Sequence, residues 1–260
     1  MYSELDRGLT DEQRLLKQEA HKFAEEVIRP AAIEIDRMTN PEDIVKKGSI
    51  WWEVRKKARK ADYHLFGLPK ALGGFEADPV EFHILAEEFG WGSPGLALSL
   101  LTDAFPATVV LMYNPQNEKL LNEIVLPFVK DVNAERVTCA GIAEPDHGSD
   151  AALCFTRHFP DPSLAFNTRA VLQGDEWVIN GQKAAWVSNG PAATISVSPL
   201  TVLEGEEMVG GGIALIPLDA PGVTKGSPIS LLGSRDFPQC EIFFDNVRIP
   251  RDYILNFARN

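Results

Sequence analysis

The spacing of apolar residues changes near residue 135, and this change limits the folds open to the chain of 260 residues. Before it, apolar residues recur at helical intervals; after it, short runs rich in β-branched and aromatic residues are separated by turn residues. The two patterns do not alternate, so a parallel sheet with crossover helices is not expected. The sequence predicts an α+β fold, in which an N-terminal all-helical domain of about five helices precedes an antiparallel β-barrel or sandwich domain.

Signals for helix starts recur through the first half of the chain. Thr10 followed by Gln13 has the spacing of a capping box, and the apolar residues that follow repeat at helical intervals. Three later sites place a capping residue before a proline that suits the first helical position: Asp78-Pro79, Ser93-Pro94 and Asn114-Pro115. The segment 68–77 is predicted to be a loop between the second and third helices.

Short β-rich runs follow between residues 136 and 249, and turn residues separate them. The pairs Gly174-Asp175 and Asn180-Gly181 both predict turns between strands. The glycine-rich segment 208–212 is predicted to form a flexible hairpin before a strand. Regularly spaced strands and turns of this kind are typical of an antiparallel sandwich or barrel.

The composition argues against several classes of protein. A formal net charge of −12 disfavours a nucleic acid or an anionic membrane as partner. The three cysteines are widely spaced, which favours neither a disulfide framework nor a metal site and fits a cytoplasmic location. The N-terminus lacks the apolar segment of a signal peptide. The most apolar stretch, 95–112, contains Asp103 and Pro106, so a buried helix or helix pair is expected there rather than a membrane span.

Common nucleotide-binding and hydrolase motifs do not account for the sequence. The segment "GWGSPG" fits a dinucleotide-binding fingerprint, but that fingerprint follows a strand, and the residues before it here have a helical pattern. The G-x-S-x-G nucleophile elbow and the phosphate-binding G-x-x-x-x-G-K-[ST] loop are both missing from the sequence. The five histidines are scattered, so no metal is expected.

Two polar motifs remain, and together they point to one family. The segment "AEPDHGSD" (143–150) follows an apolar run, and "WVINGQKAAWVSNG" (177–190) lies in the β-rich part. A third block, "LLGSRDFPQCEIFFDNVRIPRDYIL", closes the chain. In this order, after an all-helical first half, the motifs resemble those of the acyl-CoA dehydrogenase family. The resemblance covers nearly all of the chain.

The resemblance implies a site for FAD. Residues that match family positions lining the flavin or the thioester are Ala140, Ile142, Ala143, Gly148 and Ser149. Trp186 is expected to lie against the isoalloxazine ring, because an indole offers a large and rigid apolar face. The Ser188 hydroxyl is expected near flavin N5, where a donor stabilises charge on the reduced ring. Ser149 is also expected to contact the substrate.

The function implied by the resemblance is the α,β-dehydrogenation of an acyl-CoA thioester. A carboxylate base takes the α-proton, and the β-hydride passes to flavin N5. Hydrogen bonds to the thioester carbonyl make the α-carbon acidic. The electrons then pass to an electron-transferring flavoprotein. The resemblance also implies a homo- or hetero-oligomer, because helix surfaces that family members cover would be exposed here.

No catalytic residue is expected within this chain. In the family the general base is a glutamate of a second helical domain, which would begin beyond Asn260 and is absent from this chain. Residues 1–135 are then the N-terminal helical domain, 136–250 the middle β domain, and 251–260 the start of a linker. The isolated chain is accordingly expected to be inactive.

The carboxylates of the first motif have other expected roles. Glu144 precedes a proline and is expected to brace the loop by accepting hydrogen bonds from backbone N–H groups. Asp150 is expected to cap the turn or the following segment, and Asp146 to lie in solvent at the loop tip.

Departures from the family pattern keep two alternatives open. Ala143 stands where the family has threonine, and Asp146-His147 stands where the family has small residues. A flavoprotein of the same fold that reacts with oxygen, either an oxidase or a monooxygenase, would share the motifs. A non-catalytic subunit of a flavoprotein complex is the other alternative, which Ala143 and the absent domain favour.

Overall fold

The computed structural model describes residues 6, 8–156, 161 and 165–259. Its contacts divide the chain into two compact units. The helical unit comprises Met1–Leu101, Val132–Ala134 and Ser230–Phe237, and the sheet unit comprises Thr102–Asp131, Glu135–Ile229 and Pro238–Asn260. The predicted domain boundaries at residues 135 and 250 stay predictions.

The helical unit is built from six α-helical segments in its described residues. They are α1 (Asp11–Phe23), α2 (Arg29–Asp36), α3 (Pro41–Val45), α4 (Ile50–Lys60), α5 (Pro79–Gly92) and α6 (Pro94–Leu101). A π-helical turn, Ala24–Ile28, joins α1 to α2 with helical backbone throughout. The predicted capping box is confirmed, because the Thr10 hydroxyl accepts from the Gln13 amide at 3.2 Å and the Gln13 side chain accepts from the Thr10 amide at 3.1 Å.

The helices of the sheet unit begin later than one of the sequence signals indicates. They are α7 (Phe105–Tyr113), α8 (Glu118–Leu120) and α9 (Leu126–Val129), with a π-helical turn, Leu121–Val125, before α9. The start predicted at Asn114-Pro115 is wrong. The Asn117 amide donates to the Asn114 carbonyl at 3.1 Å in a turn, and the Asn117 side chain then caps the helix by accepting from Leu120.

The most apolar part of the chain forms the predicted helix pair. A 3-10 turn, Thr102–Ala104, separates α6 from α7. By length and composition alone, Pro94–Tyr113 could cross a membrane, and half of its most apolar window is buried in the structure. Within the sheet unit Asp103 is buried, and its carboxylate accepts a hydrogen bond from the Thr138 amide at 3.1 Å. This polar side chain is therefore satisfied inside the protein.

The sheet has eight strands in the described part of the chain. They are β1 (Thr138–Ala140), β2 (Arg169–Gln173), β3 (Glu176–Ser188), β4 (Ile195–Glu204), β5 (Glu207–Pro217), β6 (Val223–Lys225), β7 (Gln239–Pro250) and β8 (Ile254–Arg259). The order is β6-β7-β3-β2-β4-β5-β8, and β1 pairs with β4. β1 and β2 run parallel to β4, and the other pairs are antiparallel. With about five long helices before a mostly antiparallel sheet, the predicted fold class is confirmed.

Two predicted turns are strand residues instead. Asn180 and Gly181 lie inside β3, where the pairing with β7 shifts register between Ile179 and Gly181. The Asn180 side chain accepts from the Asn246 amide at 2.9 Å, so Asn180 joins two strands rather than opening a hairpin. The glycines predicted to form a hairpin lie within β5, and a Cβ on Gly212 would come within 2.4 Å of the Ile254 side chain. Gly212 permits close packing of the neighbouring strand β8.

Replacing Gly181 with alanine should destabilise the protein by about 1–3 kcal/mol. Gly181 has φ +145°, and an added Cβ would lie 2.5 Å from Thr168 Cα. Gly226→Ala is a suitable control, since its Cβ would meet ordinary contacts at 3.4 Å. Urea unfolding of both variants tests the expectation, and equal midpoints would contradict it.

Candidate functional site

The first motif forms a tight turn after β1. The Glu144 amide donates to the His147 carbonyl at 2.8 Å, and the His147 amide donates to the Glu144 carbonyl at 3.2 Å. Pro145 takes the second position of this turn, which its fixed φ suits. The Ala143 carbonyl accepts from the Ala184 amide of β3 at 2.9 Å. We call residues 141–150 the Pro145 loop, and this last bond holds it beside β3.

Gly148 ends the turn in a conformation that other residues rarely adopt, with φ −123° and ψ −108°. Asp150 fixes this conformation, because its carboxylate accepts from the Gly148 amide and contacts His147 Nδ1, each at 2.7 Å. The hydrogen bond from His147 lowers the pKa of Asp150. The predicted capping role of Asp150 is confirmed. Asp146 is exposed, as predicted, and accepts one bond from the Asn167 side chain.

A buried ion pair connects the Pro145 loop to the sheet. Lys183 Nζ lies 2.8 Å from Glu144 Oε1, and both side chains are fully buried. Lys183 Nζ also donates to the Pro199 carbonyl at 2.7 Å and lies 4.8 Å from the centre of the Phe166 ring. Each charge is thus paired and hydrogen-bonded, which is the condition for stable burial of an ion pair.

Glu144 has the role predicted from its place before Pro145. Its carboxylate accepts from the Asn167 amide at 2.7 Å and from the Thr168 amide at 3.1 Å. Burial acts to raise the pKa of Glu144, but the Lys183 charge and these hydrogen bonds outweigh it and lower the pKa. The carboxylate is therefore charged at neutral pH and braces the loop against the segment before β2.

The ion pair should make stability depend on pH. Because the pKa of Glu144 is lowered on folding, its stabilising contribution is present above the ordinary carboxyl pKa of about 4.3 and is lost as pH falls through the folded-state pKa. The difference in unfolding free energy between the wild type and Glu144→Gln should therefore shrink on acidification. Urea unfolding between about pH 3 and pH 7 measures it. Glu176→Gln, in an exposed pair with Arg248, should show an almost constant difference.

The second motif places an irregular segment of β3 beside the Pro145 loop. Lys183 pairs with Ile242 and Val187 pairs with Cys240, so β3 carries two more residues than β7 between these pairs. The bulge includes Trp186, whose side chain is 64 % exposed. Large aromatic side chains are usually buried. A solvent-facing indole on a strand therefore offers a flat apolar surface to a ligand.

Ser188 lies two residues beyond Trp186, where β3 has regained its register with β7. Residues two apart in a strand project from the same face. Ser188 is 8 % exposed, and no other described residue forms a hydrogen bond with its hydroxyl. A nearly buried hydroxyl without a protein partner is available to a bound group.

The structure brings most of the predicted flavin residues to neighbouring segments. Ala140 ends β1 beside Val197 of β4. Ile142 packs partly against the buried Ala151 and Phe166. Ala143 contacts β3 through its backbone, while Gly148 and Ser149 are exposed on the Pro145 loop. Contact of these residues with a flavin, and of Ser149 with substrate, stays a prediction.

The chemistry of these residues fits FAD. Trp186 supplies an exposed aromatic face, and Ser188 supplies a hydroxyl that no described residue bonds. Among the described residues, none accepts a hydrogen bond from the amides of Ala143 and Ser149, whereas the Glu144, His147 and Gly148 amides bond within the loop. Amide donors at both ends of the Pro145 loop are therefore available to a planar ligand with polar edges.

Two clefts lie away from the Pro145 loop. One of about 560 Å³ in the helical unit is lined by Arg29, Arg37 and Arg235 among others. One of about 200 Å³ in the sheet unit is lined by Asn114, Trp177 and neighbours. Neither includes a predicted flavin residue. The part of the chain that the structure describes contains no group of three or more His, Cys, Asp or Glu side chains able to hold a metal ion.

Lys183 is the site residue to which the sequence analysis gave no role. It belongs to the second motif, and a lysine followed directly by four apolar residues of a strand is the signal that could have identified it. A lysine is almost never fully buried unless it is paired. Its partner lies 39 residues earlier, so the pairing itself becomes visible only in the structure.

Comparison with known proteins agrees with this geometry. Residues 10–125 match the family described as acyl-CoA dehydrogenase, N-terminal domain, and residues 139–247 match acyl-CoA dehydrogenase, middle domain. The human mitochondrial short-chain specific acyl-CoA dehydrogenase is 27 % identical over 249 residues, which are 95 % of this chain and 54 % of that protein. The chain thus spans about half the length of the curated relatives it matches.

Solved structures show the same fold. A glutaryl-coenzyme A dehydrogenase in complex with glutaryl-CoA has a TM-score of 0.75 and 25 % identity, covering 96 % of this chain and 57 % of its own. A glutaryl-CoA dehydrogenase from Mycobacterium smegmatis in complex with FADH2 has a TM-score of 0.73 and 21 % identity, covering 98 % and 58 %. From the two family matches, which together span most of its length, the chain belongs to the acyl-CoA dehydrogenase family.

Proposed function

We propose that the chain forms the helical and β domains of an FAD-dependent acyl-CoA dehydrogenase, which removes hydrogen from the α- and β-carbons of an acyl-CoA thioester. Family membership supports the reaction class. The relatives named above act on short-chain acyl-CoA or bind glutaryl-CoA, which supports an acyl-CoA thioester as the substrate class.

The observation that carries the proposal is the exposed indole of Trp186 beside the Pro145 loop. It suits a flavin ring, and a relative of the same fold is known in complex with FADH2. When bound, FAD would accept the hydride from the β-carbon. Trp186 would pack on the ring, and the Ser188 hydroxyl would donate a hydrogen bond to it. The Ala143 and Ser149 amides would donate to polar edges of the flavin or the thioester.

Two carboxylates of the Pro145 loop, Glu144 and Asp150, do not suit the role of general base. Glu144 is fully buried and paired with Lys183, so it has no access to a substrate. Asp150 is held by His147 and the Gly148 amide, and a lowered pKa makes it a weaker base. We propose that the α-proton is taken by a carboxylate outside these 260 residues.

The proposed protein acts in the cytoplasm, as an oligomer, and with a second flavoprotein. An electron-transferring flavoprotein would accept the electrons. Large apolar side chains are exposed on the helices of the helical unit, among them Leu15, Ile33, Phe82 and Leu98. Exposed apolar surface of this kind marks interfaces and supports a homo- or hetero-oligomer. The buried free thiols of Cys139 and Cys240 are compatible with the proposed cytoplasmic location.

The visible spectrum of the purified protein tests the proposal directly. Bound flavin supports a flavoprotein, and bleaching by an acyl-CoA without air, in the whole protein, supports a dehydrogenase. Rapid return of the colour with oxygen and formation of hydrogen peroxide would instead favour an oxidase. A protein that takes up no FAD under any condition would contradict the proposal and favour a non-catalytic subunit.

Replacing Trp186 with alanine should weaken FAD binding about ten- to a hundredfold, because stacking on an aromatic face is worth about 1–3 kcal/mol. The side chain is mostly exposed, so the free energy of unfolding should change by less than about 0.5 kcal/mol. Fluorescence titration with FAD and urea unfolding measure the two effects. Trp91→Ala is the matched control, an exposed tryptophan of α5, and should leave the FAD affinity unchanged. Equal affinities for all three proteins would contradict the placement of the flavin.

A further inference from the structure

We propose that the Lys183–Glu144 ion pair positions the two segments that hold the flavin, the Pro145 loop and the bulge that carries Trp186. This inference rests on the proposed function. Neither side chain is exposed, so neither can touch a bound flavin from the surface. Lys183 and Glu144 are therefore positioning residues, and they act through the backbone segments that they join.

The ion pair is anchored both in the sheet and in the loop. On the sheet side, Lys183 Nζ donates to the Pro199 carbonyl of β4, while its own backbone belongs to β3. On the loop side, Glu144 accepts from the amides of Asn167 and Thr168, just before β2. The pair thus connects the loop to three adjacent strands of the sheet, β3, β2 and β4.

The two flavin-holding segments meet next to the ion pair. The bulge of β3 begins immediately after Lys183, the last residue in register with β7 before the shift. The Pro145 loop contacts that bulge directly, through the Ala184 amide and the Ala143 carbonyl. Residues next to the two charges therefore make the backbone bond between the segments. Movement of Glu144 away from Lys183 would alter the distance from the Pro145 loop to Trp186.

The backbone of Gly141 packs closely against the ion pair and β4. A Cβ on Gly141 would lie 2.5 Å from Ser198 Oγ and 3.1 Å from Lys183 Cγ. Glycine at 141 lets the loop backbone lie against the stem of Lys183, where an added Cβ would crowd the Ser198 hydroxyl. The loop start, the lysine stem and β4 are packed at contact distance. The position of the loop is consequently set by this packing and by the ion pair together.

The test separates positioning from stability by comparing Lys183→Met with the double variant Glu144→Gln plus Lys183→Met. The single variant leaves a buried carboxylate without its counter-charge, whereas the double variant removes both charges. The urea midpoint of the double variant should lie closer to that of the wild type. Its FAD dissociation constant should nevertheless remain about ten- to a hundredfold raised, because methionine cannot replace the two bonds of Lys183 Nζ, to the side chain at position 144 and to the Pro199 carbonyl, that tie the loop to the sheet.

Two further readouts report on position. In the protein without flavin, the Asn167, Thr168 and Ala184 amides should exchange hydrogen faster in the double variant. Visible circular dichroism of bound FAD should also change, since it depends on how Trp186 lies against the ring. Lys225→Met is the control, a partly buried lysine of β6 that donates to the Ala193 carbonyl, and should lower stability without altering bound FAD.

Two results would overturn the inference, and they differ in what else they remove. A double variant that binds FAD with the dissociation constant and circular dichroism of the wild type would show that the ion pair only stabilises the fold. The proposed function would then stand. A wild-type protein that binds no FAD would remove the proposed function and this inference together.

Discussion

Replacing Lys183 with methionine should lower the free energy of unfolding by about 3–5 kcal/mol, the range observed when one partner of a buried ion pair is removed. The side chain is fully buried, and its ammonium contacts the Glu144 carboxylate and the Pro199 carbonyl. Methionine fills much of the same volume, so the loss comes from the Glu144 charge that remains buried. Urea unfolding at neutral pH measures it.

The destabilisation caused by Lys183→Met should depend on pH. Protonation of Glu144 removes the unpaired charge, so the destabilisation by Lys183→Met should be smaller in acid than at neutral pH. Lys119→Met is a control, since the Lys119 ion pair with Asp252 is partly exposed at 4.0 Å and should contribute less than about 1 kcal/mol. Equal losses for the two lysine variants would contradict the importance of the buried pair.

A protein of these 260 residues alone should show no acyl-CoA dehydrogenase turnover. A positioned general base typically contributes a factor of about 10²–10⁴, and two of the three loop carboxylates, Glu144 and Asp150, are committed to structure. Glu144 is paired in the interior, and Asp150 bonds the Gly148 amide and His147. Turnover with an artificial electron acceptor and a panel of acyl-CoA thioesters measures this expectation.

The turnover assay needs a control for the cofactor. FAD is added at a concentration well above its dissociation constant, and bound flavin is measured in the same sample. Inactivity of a flavin-loaded sample then cannot result from loss of FAD. Robust activity would show that the base lies within the chain. Glu144→Gln, Asp146→Asn and Asp150→Asn would then identify it, and the proposal of an external carboxylate would be abandoned.

Features with local causes were predictable from the sequence. The capping box at Thr10 and the N-terminal cap at Asp78 depend on residues no more than three apart, and both form as the sequence indicates. The bracing role of Glu144 was also predicted from local chemistry, a carboxylate before Pro145 in a turn, although its partners, the Asn167 and Thr168 amides, lie 23 and 24 positions away. The two family motifs located the Pro145 loop and Trp186 because those segments carry unusual residues in a fixed order.

Features set by distant partners were not predictable in this way. Asn180-Gly181 has the local signature of a hairpin, yet β7 determines its structure, because Asn246 bonds Asn180 across 66 positions of the chain. The role of Lys183 depends on Glu144, 39 positions earlier. The exposed indole of Trp186 follows from two extra residues in β3 relative to β7, which a single strand pattern does not reveal.

The pairing of β3 with β7 has a consequence for how the protein is made. Glu176 at the start of β3 pairs with Pro250 at the end of β7, and β2 and β4 must also be present on the other side of β3. During synthesis, β3 leaves the ribosome well before β7, so the edge of β3 that pairs with β7 stays unpaired until β7 has been made. Closing such long loops is slow, and exposed strand edges promote aggregation. Production of the protein should therefore be sensitive to temperature and to chaperone supply, even where its final stability is high.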